Sequence, residues 1–339
     1  MPEASQNTQT ARLVRFHQLG NADVLQLDTL PLPSPGPGEV RLRVRAIGLN
    51  RAECVFRKGQ YLIQPTLPSL LGYEASGVVE AVGPGVDAAL IGQVRSTVPA
   101  FAMNQYGVYG EVAIVPADAL AAYPDALSFE QGTSIWMQYI TAWGALVHLG
   151  HLAAGDFVLI PASSSSVGLA AIEICRAEGA IPIALTRTSA KRQQLLDFGA
   201  AHVIVTEEED LVARVTEITA GKLARLVFDP VGGPTFEQLA AATAEHGQLF
   251  LYGALSRDPT PFPLFSVLSK HLTIRGYTLF EINAQPAVRA EAERYIVDRL
   301  AAGTLNPRID RTFPFEQISA AQRYMESNQQ FGKIVVTVP

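Results

Sequence analysis

The sequence predicts an α/β chain made of a compact β-rich unit and a doubly wound parallel sheet. From Ala11 to about Pro124 short runs alternate apolar and polar residues between Gly- and Pro-rich turns. From Ser128 onward buried strands alternate with segments of helical spacing. The last stretch, "NPRIDRTFPFEQISAAQRYMESNQQFGKIVVTV", returns to strand, helix, strand and is expected to rejoin the first unit.

In the first region "PLPSPGPGE" is a turn-rich connector, and "EVRLRVRAIGLN" alternates charged and apolar residues as a half-buried strand does. "ASGVVEAVGPGV" and "GVYGEVAIVPADAL" read as further strands, so the region is a barrel-like β unit. "SFEQGTSIWMQYITAWGALVHLG" reads as one helix, opened by Ser128 with Gln131 three residues later, a capping box. Strands "FVLIPA", "IPIALT", "HVIVT", "RLVFDPVG", "GQLFLYGA" and "LTIRGYT" then follow. The helical segments between them imply a parallel sheet covered on both faces. The expected division is a disordered tail over 1–10, a first unit over 11–126, a second over 127–276, and the return of the first over 277–339.

A chain of 339 residues suits two domains, and 48% hydrophobic against 17% charged residues supports large cores. The net charge of −6, without a cluster of Lys or Arg, argues against nucleic acid as a partner. No apolar run is long enough to span a bilayer and no signal peptide is read, so a cytoplasmic protein without a membrane partner is expected. Cys54 and Cys175 read as two buried, reduced thiols.

The stretch "VLIPASSSSVGLAAIEICRAEGA" places a polar turn between a buried strand and a helix, where a dinucleotide fold carries its glycine-rich loop. The G-x-G-x-x-G spacing falls on Ser163, Ser165 and Gly168, so only the third glycine is kept. Serine is small, and its hydroxyl can donate to a phosphate. Ser165, Ser166, Val167 and Gly168 are therefore candidates for holding a pyrophosphate at the helix start. The next strand ends on Thr186 and Arg187, with Ser189 and Lys191 beyond. A carboxylate there would bind the ribose 2′-hydroxyl of NAD, whereas this cluster pairs with the 2′-phosphate of NADPH. Cations are disfavoured at a helix start, so their presence there asks for a ligand.

Taken with "PGPGEVRLRVRAIGLNRAE", "LPSLLGYEASGVVEAVGPGV", "ITAWGAL", "LLDFGAAHVI", "VFDPVGG" and "GKIVV", the chain resembles the medium-chain dehydrogenase/reductase superfamily. Within it, the zinc-independent quinone-oxidoreductase-like and enoyl-reductase-like branch is the nearest. The resemblance covers nearly everything after Ala11. It implies a GroES-like catalytic domain built from both chain ends around a Rossmann domain, with NADPH as cofactor. Zinc-dependent relatives place Cys, His and Cys where this chain has Asn50, Tyr73 and Met137, none a normal zinc ligand.

By the same resemblance Tyr61 is a substrate-side tyrosine, proton donor or packing residue, and Asn50 lies near nicotinamide or substrate or caps a turn. Thr141 packs near the nicotinamide, with Gln138 and Tyr139 on the same helix. Asp229, Val231 and Gly232, together with Tyr252, Gly253 and Leu255, lie at strand ends where such folds bind ligands. Lys333 matches a lysine close to the cofactor. Glu53 is expected to face the same cleft, in a role the resemblance does not supply, and Trp136 reads equally as core. The implied activity is hydride transfer from NADPH to a small-molecule quinone, enone or enoyl thioester. A non-catalytic NADPH-binding protein is the other class. Edge pairing through "HLTIRGYT" implies a homodimer.

Overall fold

The structure, a computed structural model, describes residues 9–339. Of the tail expected over 1–10, residues 1–8 lie outside the described residues, and Thr10 already begins the first strand. Contacts divide the chain into two compact units, Met1–Met137 with Arg308–Pro339, and Gln138–Pro307.

In the first unit β1 (Thr10–Phe16) and β2 (Leu25–Pro31) pair antiparallel. β3 (Glu39–Gly48) leads into the short helix α1 (Arg51–Arg57). β4 (Glu74–Val82), β5 (Val94–Thr97), β6 (Val112–Pro116) and β7 (Leu120–Ala121) follow. β3 is the organising strand, antiparallel to both β4 and β6. Its alternation buries Val40, Leu42, Val44 and Ala46 and turns Arg43 and Arg45 outward.

The single helix expected from Ser128 is broken. α2 (Phe129–Gly132) keeps the expected capping box, with Gln131 N–H donating to Ser128 Oγ (3.3 Å) and Ser128 N–H to Gln131 Oε1 (3.1 Å). α3 (Trp136–Trp143) begins after a gap and runs into a π-helical turn over Gly144–Leu149. Close packing marks both places: a Cβ on Gly132 would lie 2.3 Å from Tyr123, and one on Gly144 2.2 Å from the Tyr277 hydroxyl.

The second unit holds β8 (Phe157–Ile160), α4 (Ser166–Ala177), β9 (Ile181–Thr186), α5 (Arg192–Phe198), β10 (His202–Val205), α6 (Leu211–Ile218) and β11 (Ala224–Asp229). It continues with α7 (Thr235–Ala241), β12 (Thr243–Leu251), α8 (Leu264–Lys270), β13 (Thr273–Gly276), α9 (Leu279–Asn283) and α10 (Pro286–Ala301). All its strand pairs are parallel, in the order β10-β9-β8-β11-β12-β13. This is the doubly wound arrangement, with its switch point between β8 and β11. Leu159, Ile183, Ile204, Val227 and Leu249 form the centre of its core. Burying each such side chain contributes about 1.5–3 kcal/mol.

The chain then re-enters the first unit with β14 (Ile309–Pro314), α11 (Ile318–Glu326) and β15 (Lys333–Thr337). β15 pairs antiparallel with β3, so the two chain ends share one sheet. The unit boundaries differ from those expected at 127 and 277. Trp136 donates to Ser96 Oγ (2.7 Å) and Met137 N–H to Glu74 (2.8 Å), which ties the segment after α2 to the first unit. Tyr295 and Arg299 of α10 reach Glu178 at the end of α4 (2.7 and 2.8 Å), which keeps α10 with the parallel sheet. Among the described residues no helix is long and apolar enough to cross a membrane. Cys54 and Cys175 are buried and unpaired, and burial pushes the Cys54 thiol up to about 11.

Candidate functional site

Four loops at the carboxyl ends of the parallel strands gather most of the expected cofactor residues. After β8, Ala162 takes a left-handed φ of 51°, an uncommon state for a residue with a side chain. Ser163 is enclosed: its hydroxyl donates to Ile160 O and accepts from Leu185 N–H (2.9 Å), so it fastens β8 to β9. Ser165 caps α4 by accepting from Gly168 N–H (3.1 Å). Gly168 has no room for a side chain, since a Cβ would lie 2.6–2.8 Å from the Ser163 and Ala162 backbone. The turn thus keeps the tightness of a glycine-rich loop with one glycine. Ser165, Ser166 and Val167 are half-buried at its mouth.

After β9, Thr186 is half-buried and Arg187 exposed, and Lys191 reaches back so that its Nζ donates to Ser164 Oγ (3.1 Å). Lys191 therefore overlies the serine loop. One carboxylate intrudes: Glu208 accepts from Ser189 N–H (3.0 Å). After β11, Asp229 accepts from Val231 N–H (2.7 Å) and Gly232 N–H (3.1 Å), so it shapes its own turn. Burial pushes its carboxyl up, against those two donors. Leu255 N–H and Ser256 N–H bond Pro230 O and Val231 O (3.0 and 2.9 Å), which clips the loop after β12 to the loop after β11. Gly253 makes this possible, because a Cβ there would lie 2.7 Å from Pro230 O. Tyr252 stacks on Phe228 with centroids 4.0 Å apart.

On α3, Thr141 is buried, and Tyr139 is fully enclosed with its hydroxyl on Glu173 (2.6 Å). Tyr139 therefore closes a core contact. Trp136 is core as well.

The first unit contains a buried polar cluster that the sequence shows only in part. Lys333, at the start of β15, has its ammonium on Glu74 Oε2 and on Asn50 Oδ1 (2.7 Å). Glu74 also accepts from Met137 N–H (2.8 Å) and Asn50 Nδ2 (3.1 Å). Asn50 Nδ2 further donates to Gly48 O (3.2 Å) and Glu53 (3.3 Å). Asn50 is thus held in the cluster by both ends of its amide. Gly48 leaves the space the lysine fills, since a Cβ would lie 2.8 Å from Lys333 Cε.

Glu53 is enclosed rather than facing an open cleft. It accepts from Asn50 N–H (2.7 Å), Tyr73 N–H (3.1 Å), Asn50 Nδ2 and the Tyr109 hydroxyl. Burial pushes its carboxyl up to about 7, against the pull of those donors and of Lys333. Unfolded, the group ionises near 4.5, so the native state binds more protons between the two values. Its contribution to stability therefore falls as pH rises from about 4.5 to about 7 and is level above. Glu53→Gln is expected to cost about 1–3 kcal/mol, because an amide NH₂ meets donors. The stability advantage of wild type over this variant should shrink by about 2–3 kcal/mol from pH 5 to pH 8. Urea unfolding at both pH values checks this, and parallel curves would contradict it.

Tyr61 lies half-buried after α1, its ring edge-on to Phe56 (6.4 Å between centroids). Its hydroxyl is hydrogen-bonded to that of Tyr73. The sequence marks Tyr73 only as the residue at a zinc-ligand place and Glu53 only as a cleft residue without a role, and it does not bring Tyr109 or Glu74 forward as site residues. One signal was available: "NRAE" at 50–53 has the N-x-x-E spacing of a helix start, and Glu53 does reach back to the Asn50 N–H.

The residues at the zinc-ligand places do not fit a zinc ion. Asn50 and Tyr73 are held by hydrogen bonds, the Met137 thioether is not a normal zinc ligand, and the Lys333 ammonium supplies the positive charge at Glu74. Among the described residues no three His, Cys, Asp or Glu side chains gather as a metal site would need.

The sequence model described as the alcohol dehydrogenase GroES-like domain matches residues 36–125, and the one described as zinc-binding dehydrogenase matches 166–294. Quinone oxidoreductase 1 of Escherichia coli is 30% identical over 330 residues, covering 95% of this chain and 98% of its own length. A synaptic vesicle membrane protein VAT-1 homolog of Danio rerio is 29% identical over 310 residues, 87% of this chain. The match spans only 63% of that longer protein. The crystal structure of Escherichia coli quinone oxidoreductase complexed with NADPH superposes with a TM-score of 0.89 at 29% identity. It covers 96% of this chain and all of that one. The chain belongs to the medium-chain dehydrogenase/reductase superfamily, in its quinone oxidoreductase-like branch.

Proposed function

We propose that this oxidoreductase uses NADPH to reduce a quinone, an enone or a related α,β-unsaturated carbonyl, without zinc. The observation that carries the reading is the buried Lys333–Glu74–Asn50 cluster at the place where zinc-dependent relatives hold their metal. With a fixed ammonium there and no Lewis acid, the chemistry left is hydride transfer to an acceptor activated by its own conjugation, assisted by hydrogen bonds.

Bound NADPH supplies the hydride. The capped start of α4 and the tight turn over 162–168 suit its pyrophosphate, and the loops after β11 and β12 frame the strand ends at the switch point. Arg187, Ser189 and Lys191 are the residues we assign to the 2′-phosphate. Tyr61 is the residue we assign to the substrate oxygen, as donor to the developing enolate. NADPH consumption with a quinone, an alkyl enone and an enoyl-CoA tests the substrate class. Turnover of none of them would overturn the reading.

The cofactor preference has its own expected outcome. Pairing a phosphate with Arg187 and Lys191 contributes on the order of 1.5–3 kcal/mol, about 10- to 150-fold in affinity over NADH. Arg187→Asp should remove most of that ratio. Fluorescence titration with both nicotinamides measures it, and equal affinities for the wild type would sink the assignment.

A homodimer joined along β13 belongs to the same proposal. β13 is a sheet edge, and α8, which leads into it, exposes Phe265 and Leu268. Unpaired edge groups beside exposed apolar side chains favour a partner. A monomeric mass in solution at micromolar concentration would count against it. The unpaired cysteines suit a reducing compartment, and we place the protein in the cytoplasm.

A further inference from the structure

The acidic run "EEED", residues 207–210, follows β10 and lies beside the loop assigned to the 2′-phosphate. The pairing of β9 with β10 runs on past both strands: Thr206 N–H bonds Thr186 O (2.8 Å) and Glu207 N–H bonds Arg187 O (3.1 Å). The two loops are thus held side by side. Two of the acids have structural partners. Glu209 accepts from Val205 N–H (2.7 Å) and pairs with Arg192 and Arg214 (3.4 and 3.1 Å), and Asp210 caps α6 by accepting from Ala213 N–H (2.8 Å). Glu208 crosses over instead. Its carboxylate accepts from Ser189 N–H (3.0 Å), in the turn Ser189–Lys191 that leads into α5.

That bond puts a negative charge on a donor that suits a phosphate, because a backbone N–H holds either oxyanion by a charge-assisted hydrogen bond. Nothing within the protein neutralises it. Among the described residues neither Glu208 nor Arg187 makes an ion pair, although both are exposed on adjoining loops. A 2′-phosphate at Arg187 meets Glu208 in one of two ways, and both weaken its binding. With the carboxylate in place, like charges repel. With the carboxylate displaced, its bond to Ser189 N–H is lost. NADH meets no such opposition: its ribose carries a hydroxyl at that point, which donates to a carboxylate as it does in NAD sites.

We propose that Glu208 is a specificity-determining residue that lowers the preference of this site for NADPH over NADH. The inference rests on the reading of Arg187, Ser189 and Lys191 as the 2′-phosphate site. Arg187 favours the phosphate and Glu208 the hydroxyl. Discrimination between the two nicotinamides is then a balance of opposite charges on adjoining loops, and the site admits both cofactors with NADPH held more tightly.

The test is fluorescence titration of wild type, Glu208→Gln and Arg187→Asp with NADPH and with NADH. Glu208→Gln keeps an oxygen for Ser189 N–H and removes the charge, so the melting temperature should stay near that of wild type. NADPH binding should tighten about 3- to 10-fold at low salt, the scale of one like-charge contact near 4 Å at a wet surface. NADH binding should stay level or weaken by up to about 3-fold. At about 1 M salt the screening length falls to about 3 Å, and the gain for NADPH should shrink below about 2-fold. An unchanged ratio of NADPH to NADH affinity in Glu208→Gln overturns the inference. A gain that persists at high salt also overturns it, since a rearranged loop and not repulsion would then be the cause. If Arg187→Asp leaves the ratio where wild type has it, the 2′-phosphate reading fails and takes this inference with it. A ratio that collapses in Arg187→Asp yet does not rise in Glu208→Gln overturns the inference alone.

Discussion

Tyr61→Phe is expected to lower turnover of an alkyl enone by roughly 10²–10⁴-fold, the range for a positioned general acid, while NADPH affinity stays unchanged. The phenol is neutral at pH 7 and half-buried, with its ring fixed against Phe56 and its oxygen against Tyr73. An enolate needs stabilisation as the hydride arrives, and without zinc a hydrogen bond must provide it. Quinone reduction should lose much less, because a quinone accepts hydride readily and its reduced oxygen is protonated easily by water. Steady-state rates on both substrates check the difference. A uniform small loss on every substrate would make Tyr61 a packing residue, and a loss of NADPH affinity would place it in the cofactor site.

Lys333→Met is expected to destabilise the first unit by about 3–5 kcal/mol, the range for breaking a buried ion pair by removing one partner. The carboxylate of Glu74 is as fully enclosed as the ammonium it faces. Without the lysine it keeps only the Met137 N–H and Asn50 Nδ2 as donors. Against a typical domain stability of about 5–15 kcal/mol the loss is large, and the melting temperature should fall by about 10 °C or more. Adding Glu74→Gln should recover much of it, since the stranded charge is then gone. Thermal unfolding of the single and double variants measures both effects. A cofactor lysine would behave differently: NADPH affinity would drop and the melting temperature of the free protein would hardly move.

The parallel sheet was the most legible part of the chain. Its strands are short apolar runs separated by helical periods, and several helices carry a local start or stop, such as Asp210 capping α6 or Gly199 ending α5 in the left-handed region. Ser128 and Gln131 likewise announced α2. The break after Gly132 was not legible, since the run from Ser128 keeps helical spacing through it. The serine loop was legible as a βα turn. Ser165 caps the helix locally, whereas the tie that Ser163 makes between two strands follows only from how β9 lies beside β8.

The polar cluster was the least legible. Asn50, Glu53, Tyr73, Glu74, Tyr109 and Lys333 meet because β15 pairs with β3 and β3 with β4, so residues far apart in the chain share one end of one sheet. "GKIVV" is a lysine opening an otherwise apolar strand, which in hindsight marks a buried charge that needs a partner. Its partner, Glu74, sits in "GYE", beside the tyrosine that stands where zinc-dependent relatives carry a histidine.

The account is tested most directly by following deuterium from NADPH dideuterated at the nicotinamide C4 into an alkyl enone. The protein is first dialysed against a metal chelator, and the product is read by mass spectrometry. The account predicts one deuterium at the β carbon of the saturated ketone, formed at the rate seen before dialysis. A product without deuterium, or activity that is lost on dialysis and returns only when zinc is added, would contradict it.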